Sequence, residues 1–389
     1  MKNTTRSHSN LVRSHVRKGG KMIDSGGYGC VFSPALKCKK KTRKKNHVTK
    51  LLVKKHGLSE YNDLKKINVI LKKIPQSTDY FVGPEMTKCQ VEPLTKDDME
   101  NIESCKPLRK GNIDPLEVNK NLQRVIALNF IHGGKTILKY AKSVKSIQDL
   151  KKFNVSMIEL LKNGIIPLNE NGVIHSDIKE SNMLIDNDYK IRLIDWGLSG
   201  MITNTKIDIH NRPLQYNLPY STILIDKYTV EDVNHFLNKV DKVDKSIMKN
   251  IATEVLNIAL SERELSVFLV ILHTYVFDYN TNHASDQVKN SIIEYLTNIL
   301  INFTENKKGK YEFNRDKYVK EIYRKNVDIY GFLTCYLEVA EELQNTSDVK
   351  LLGFTKNMKL LVKKYLYGDS FASEVIPVDI LVDDLKRLI

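Results

Sequence analysis

The chain has 389 residues, 41% hydrophobic and 28% charged, with a mean hydropathy of −0.34; such values fit a chain that buries one or more cores and exclude collagen, disorder and a membrane bundle. Lys and Arg number 61 against 46 Asp and Glu, a net charge of +15 with a pI near 9.3, so the surface attracts polyanions without specifying which. The longest strongly apolar run, 265–277, carries His273 and Thr274 and is too short for a bilayer, so it reads as a buried helix; no apolar stretch follows the N-terminal Arg and Lys as in a secretory signal.

In chain order, residues 1–20 read as a basic tail. Much of the positive excess lies at 6–21 and in the run 37–45, both read as solvated segments. The five cysteines, Cys30, Cys38, Cys89, Cys105 and Cys335, form no C-x-x-C pair, which fits idle or buried thiols in a reduced, intracellular setting. Convergence of Cys38, Cys89 and Cys105 on one zinc is the alternative, with no fourth ligand evident.

From residue 21 to about 130 the segments are short, strand-like and broken by Gly and Pro. The stretch Asp24, Ser25, Gly26, Gly27, Tyr28, Gly29, Cys30, Val31 is similar to the nucleotide-covering pattern G-x-G-x-x-G-x-V, with Asp24 where the first glycine would stand. Glycines there let backbone N–H groups approach phosphates, although an ordinary hairpin looks the same. Residues 47–52 alternate as a strand that turns Lys50 to one face, with Lys54 and Lys55 as competitors beyond the alternation. A helix over 60–74 carries Leu64, Ile67, Leu71 and Ile74 as one stripe. Glu60 shares that face and could hold Lys50. Asp63 is its rival, and a solvated first-turn Glu is the plain alternative.

Beyond Gly133 and Gly134 helical patterns dominate, so a small mixed part precedes a larger helical one in a two-lobe α+β arrangement. A β-rich island at 173–198 carries the chemistry. His175, Asp177, Lys179 and Asn182 satisfy H-x-D-x-K-x-x-N, and Asp195, Trp196 and Gly197 follow after a hairpin turn at 186–189. Phosphoryl transfer needs a carboxylate near the attacking hydroxyl, a cation on the γ-phosphate and oxygen ligands for Mg²⁺. Asp177, Lys179, and Asn182 with Asp195 supply these in order. From about 226 to 325, helical runs at 232–259, 261–277 and 286–303 alternate with polar loops.

On these residues the chain, from about residue 21 to its C-terminus, resembles the eukaryotic-type serine/threonine protein kinases. The resemblance implies a bilobal fold: a β-rich N-lobe at 21–131 and a larger helical C-lobe at 132–389, with 226–325 as a helical insert. It implies ATP and Mg²⁺ as cofactors, with residues 24–31 over the nucleotide and Lys50, partnered by Glu60, on its phosphates. The backbone of Asn129 and Ile131 would meet the adenine. Asp177 becomes the catalytic base, Lys179 the group that neutralises developing charge, and Asn182 and Asp195 the metal ligands. Val327 to Gly331 is similar to the start of the family's central large-lobe helix, so Asp328 would steady the catalytic loop. The position of Lys179 is that of serine/threonine rather than tyrosine kinases.

Departures from the family pattern are Ser176 in place of an Arg beside the catalytic Asp, Trp196 in place of Phe, and residues 211–221 where Ala-Pro-Glu is usual. Control by a phosphate docking on that Arg is therefore not expected. These departures and the Lys/Asn/Ile-heavy composition are similar to the divergent kinases of giant double-stranded DNA viruses, which implies a host-cell cytoplasmic enzyme that virions can package. Protein substrates are expected, acidic or phosphorylated ones given the positive surface, and no membrane. Sequence-specific nucleic acid is not expected, since 37–45 has no interleaved aromatics. The sequence does not set the oligomeric state. Two other readings stay open: a small-molecule phosphotransferase of the aminoglycoside or choline kinase type, to whose Ile-Asp-Trp element residues 194–196 are close, and a non-catalytic kinase-like scaffold.

Overall fold

Alternation of apolar and polar residues along Lys21–Ser25, Gly29–Ser33 and His47–Val53 produces three antiparallel strands, β1, β2 and β3. Thr87–Cys89 (β4) and Val125–Ile131 (β5) complete a five-stranded sheet in the order β1-β2-β3-β5-β4. Strand β5 has a partner on either side, and its continuous apolar run Val125–Leu128 is buried as an inner strand requires. The sheet packs over a core that includes Phe32, Leu51, Leu108, Val118 and Ala127. This computed structural model describes residues 20–44, 46–209, 215–260, 284–368 and 370–389. The expected tail at 1–20 (apart from Gly20), Lys45, residues 210–214 and the apolar helix at 261–277 lie outside them.

The chain divides into two compact units, Met1–Asn62 with Glu85–His132, and Asp63–Pro84 with Gly133–Ile389. The helix α1, Lys54–Leu71, starts directly after β3 rather than at residue 60. Its first turn, Lys54, Lys55 and His56, is exposed and carries no apolar signal, which is why periodicity alone missed it. The stripe Leu64, Ile67, Leu71 and Ile74 is buried, the last of these just past the helix end.

The cysteines depart from the expectation of idle thiols. Cys30 is bonded to Cys105 and Cys38 to Cys89, leaving Cys335 as the free thiol. Convergence of Cys38, Cys89 and Cys105 on one metal is excluded by the same pairing, since Cys105 is taken by Cys30. Pairs 75 and 51 residues apart become neighbours through the sheet, with Cα atoms 5.8 Å apart in each, and no local spacing could reveal them.

In the basic run 37–45 the described lysines are exposed as expected, and Arg43 turns inward. Arg43 clamps Asp98 with bonds of 2.8 and 3.0 Å, and the Asp98 side chain is only 2% exposed. Burial by itself would push the Asp98 carboxyl up; the Arg43 guanidinium, Thr95 and the Gly20 amide outweigh it and hold it below the usual range. A carboxyl lowered in the folded state contributes stability above its unfolded value, and loses it as pH falls through the folded one. Asp98→Ala takes the carboxylate from a half-buried Arg43 and orphans the Gly20 and Thr95 amides, and costs about 1–3 kcal/mol. Urea unfolding of the full chain at neutral pH checks this, and the wild-type advantage over the variant shrinks on acidification.

In the second unit, Arg324–Leu343 is the central helix, buried almost without interruption from Asn326 to Tyr336. Ile147–Leu160 begins with a capping box between Ser146 and Asp149. The helix expected at 232–259 is instead two, Lys227–Leu237 and Lys245–Leu260, the second opened by Asp244, which accepts the Ile247 N–H at 2.9 Å. After Ala284–Phe303 comes an unforeseen hairpin, Thr304–Lys307 with Lys310–Phe313. Its two turn residues, Lys308 and Gly309, both have positive φ, the geometry that two-residue hairpin turns demand, and a lysine at the first hides the signal. No helix among the described residues is long and apolar enough to cross a membrane.

Candidate active site

The glycine turn belongs to the first unit. Gly26 N–H donates to Gly29 C=O at 3.0 Å, closing the loop between β1 and β2. A Cβ on Gly29 would lie 2.8 Å from Leu52 Cγ and 2.9 Å from the Leu51 carbonyl, so packing forbids any side chain there. Gly27, by contrast, has no atom within 4 Å of such a position, and Gly26 and Gly27 are both exposed, which leaves backbone open to an anionic group. Asp24 accepts the Ser25 N–H at 2.7 Å, and the Tyr28 side chain is exposed beside His56. Cys30 is buried in its disulfide and offers only main chain, and Val31 lies opposite Lys50.

Lys50 Nζ reaches both carboxylate oxygens of Glu60, at 2.8 and 2.9 Å. The two side chains are 15% and 16% exposed, so the pair is drawn in yet still reachable. Asp63 pairs with Lys66 on the exposed side of α1, and Lys54 and Lys55 are exposed on its first turn. Asn129 sits inside β5 with Thr49 and Thr87 as its strand neighbours. Ile131, the last residue of β5, has a neighbour on the β3 side alone.

The second unit holds the loop that follows the short strand Val173–Ile174. Its anchor is Asp328, 1% exposed, from the central helix. One Asp328 oxygen accepts His175 N–H at 2.8 Å and Asn169 Nδ2 at 2.7 Å, while the other accepts Ser176 N–H at 2.9 Å. Ser176 takes a positive φ there, which places both amides on the same carboxylate. The helix presses so close that a Cβ on Gly331 would lie 2.5 Å from the Ile178 carbonyl.

Around Asp177 the side chains converge. Lys179 Nζ lies 3.2 and 3.0 Å from its two oxygens, and Asn182 Nδ2 donates at 2.9 Å to Oδ2 and at 2.9 Å to the Asp177 carbonyl. Asn217, 1% exposed, donates from Nδ2 to Asp177 Oδ1 and to the Ile178 carbonyl, each at 3.1 Å. Sequence reasoning missed Asn217; its one signal is its place in Tyr216-Asn217-Leu218-Pro219, where the usual landmark is absent. Tyr216 beside it donates to Glu180 at 2.6 Å, tying the same segment to the loop.

The hairpin Met183–Ile185 with Ile191–Leu193 sets Ile194, the neighbour of Asp195, against Asn182: Ile194 N–H donates to the Asn182 carbonyl at 3.0 Å. His175 fixes the other side of Ile194: its Nε2 lies 3.0 Å from the Ile194 carbonyl and its Nδ1 accepts the Asp177 N–H, a pattern met by the Nε2–H tautomer. Trp196 packs between Phe81 and His175 and donates from Nε1 to the Val82 carbonyl at 3.0 Å, so the departure from Phe keeps the aromatic and adds a hydrogen bond. Asp195 itself has positive φ and is exposed. Asn182 spends its amide N–H on Asp177 and keeps its side-chain oxygen; with the Asp195 carboxylate this is the hard-oxygen set suited to Mg²⁺ shared with substrate phosphates.

Comparison with known proteins shows the family. A segment of 81 residues is 32% identical to Mitogen-activated protein kinase kinase 2 of Arabidopsis thaliana, covering 21% of this chain and 22% of that protein. The family model for the protein kinase domain matches residues 18–222, just over half of the chain, and takes in the glycine turn, the Lys50–Glu60 pair and the whole Asp177 loop. By that match, the chain is a member of the protein kinase domain family.

Proposed function

We propose that this chain is an ATP-dependent serine/threonine protein kinase with Asp177 as its catalytic base. The observation that carries the reading is the Asp177 carboxylate, buried yet held by side-chain N–H donors from Lys179, Asn182 and Asn217. Those bonds fix its oxygens so that one can orient a substrate hydroxyl and take its proton. Lys179 then balances charge that develops on the transferred phosphoryl group. Lys50, kept in place by Glu60, addresses the ATP phosphates, and the bare Gly26–Gly27 backbone covers them. Asn182 and Asp195 would hold Mg²⁺, which when bound neutralises phosphate charge.

The Lys179 position supports Ser and Thr as acceptors, and the excess of positive charge supports acidic or phosphorylated protein substrates. Ser176, Trp196 and the composition support membership among the divergent kinases of giant double-stranded DNA viruses. Purified chain with γ-labelled ATP, Mg²⁺, basic and acidic generic proteins and a metabolite pool tests the reading. Label recovered as phosphoserine and phosphothreonine is the expected result. Label confined to a metabolite would favour a small-molecule phosphotransferase, and label on tyrosine alone would overturn the acceptor assignment.

A further inference from the structure

Both disulfides lie in the unit that carries the glycine turn and the Lys50–Glu60 pair. They differ in access. Cys30 and Cys105 are fully buried in the core, a staple that a reductant cannot reach without unfolding. Cys38 is 8% exposed and Cys89 is half-buried on the edge strand β4, so this second bond is open to attack by a thiolate.

What surrounds Cys38–Cys89 ties it to the nucleotide elements. The Asn129 amide donates to both sulfurs, at 3.3 Å to Cys38 and 3.5 Å to Cys89. The other end of that side chain accepts the Thr49 hydroxyl, whose oxygen in turn accepts the Leu36 N–H at 2.8 Å. Thr49 immediately precedes Lys50 on β3, and Asn129 stands two residues before the end of β5. Main-chain bonds from Lys39 to Gln90 and from Glu92 to Lys37, each 2.9 Å, run alongside the disulfide and depend on the same alignment.

We propose that Cys38–Cys89 is a redox switch on nucleotide binding, closed in the binding form and opened by a dithiol reductant. The proposal rests on the ATP-site reading above. In the opening step a dithiol thiolate attacks the Cys89 sulfur, the S–S bond breaks, and Cys38 leaves as a thiolate that takes a proton. The second thiol of the reductant then displaces Cys89 as a thiol, so two electrons and two protons pass to the protein and the reductant departs as its cyclic disulfide. Two unbonded sulfurs must separate to van der Waals distance. That pulls β4 from the segment 34–44, breaks the shared contact with the Asn129 amide, and loosens the Thr49–Asn129 link beside Lys50.

The experiment uses the full oxidised chain and measures binding of a non-hydrolysable ATP analogue with Mg²⁺, before and after dithiothreitol, with mass mapping of alkylated thiols. Expected is a several-fold weaker affinity once Cys38 and Cys89 are labelled while Cys30 and Cys105 stay paired, with full recovery on reoxidation. The double variant Cys38→Ser, Cys89→Ser should bind as weakly as the reduced wild type and ignore dithiothreitol. Should that variant not fold, the reduction and reoxidation cycle of the wild type, followed by circular dichroism, decides the matter by itself. Unchanged affinity with Cys38 and Cys89 shown to be open would overturn the switch while leaving the ATP site intact. Absence of analogue binding in both redox states would overturn the ATP-site reading and the switch with it.

Discussion

Asp177→Asn lowers kcat by about 10²–10⁴-fold, the usual contribution of a positioned general base, while ATP affinity stays near that of the wild type. The asparagine retains the shape of the side chain but cannot accept a proton from the substrate hydroxyl. It also replaces one acceptor with an N–H₂ group among donors, because Lys179, Asn182 and Asn217 all present N–H to this position. A modest loss of thermal stability should accompany the loss of turnover. Measuring kcat together with analogue binding separates the two effects: binding survives because Lys50, Glu60 and the glycine turn are untouched. Near-normal turnover in Asp177→Asn would remove Asp177 from the role of base.

Asp328→Asn acts without touching substrate. The wild-type carboxylate, 1% exposed, accepts three N–H donors, and an amide in its place turns one acceptor into a donor facing another donor. Each orphaned buried donor costs about 1–3 kcal/mol, so the fold loses stability measurably. Activity falls further than stability alone explains, because His175 and Ser176 set the path of the chain into Asp177. A displacement of about 1 Å at a reacting group is enough for a loss of about 10²-fold in rate. The expected signature is a large fall in kcat with little change in KM for ATP, at a temperature where circular dichroism shows the variant folded. A folded variant with wild-type kcat would show that Asp328 is structural padding rather than a positioning residue.

The parts of this protein that were legible in its sequence are those whose chemistry is local. His175, Asp177, Lys179 and Asn182 lie within one loop, and Asp195 within one hairpin of it, so spacing alone gathers them. Glu60 was readable because helix periodicity puts it on the face of Leu64. Asn217 was not, since the groups it meets, Asp177 and Ile178, are about forty residues upstream and an asparagine before Leu-Pro has no special look. The disulfides were hidden for the same reason: Cys30 and Cys105 are brought together by a sheet and its flanking segments, and free thiols were the default for an odd count without paired spacing. Their presence also removes the thiol-based argument for a reduced setting. In the helical half, the turn at Lys308 and Gly309 depends on positive φ angles that a lysine conceals, and the break between Leu237 and Lys245 has no Gly or Pro to mark it.

If Asp177 carries phosphoryl transfer from ATP to protein hydroxyls, its removal abolishes labelling. Oxidised wild-type chain and Asp177→Ala, incubated side by side with γ-labelled ATP, Mg²⁺ and a mixture of generic proteins, test it most directly. Phosphoserine and phosphothreonine are expected from the wild type and none above background from the variant, with both proteins binding an ATP analogue. Equal labelling by the two proteins, or analogue binding with no label from either, would contradict it.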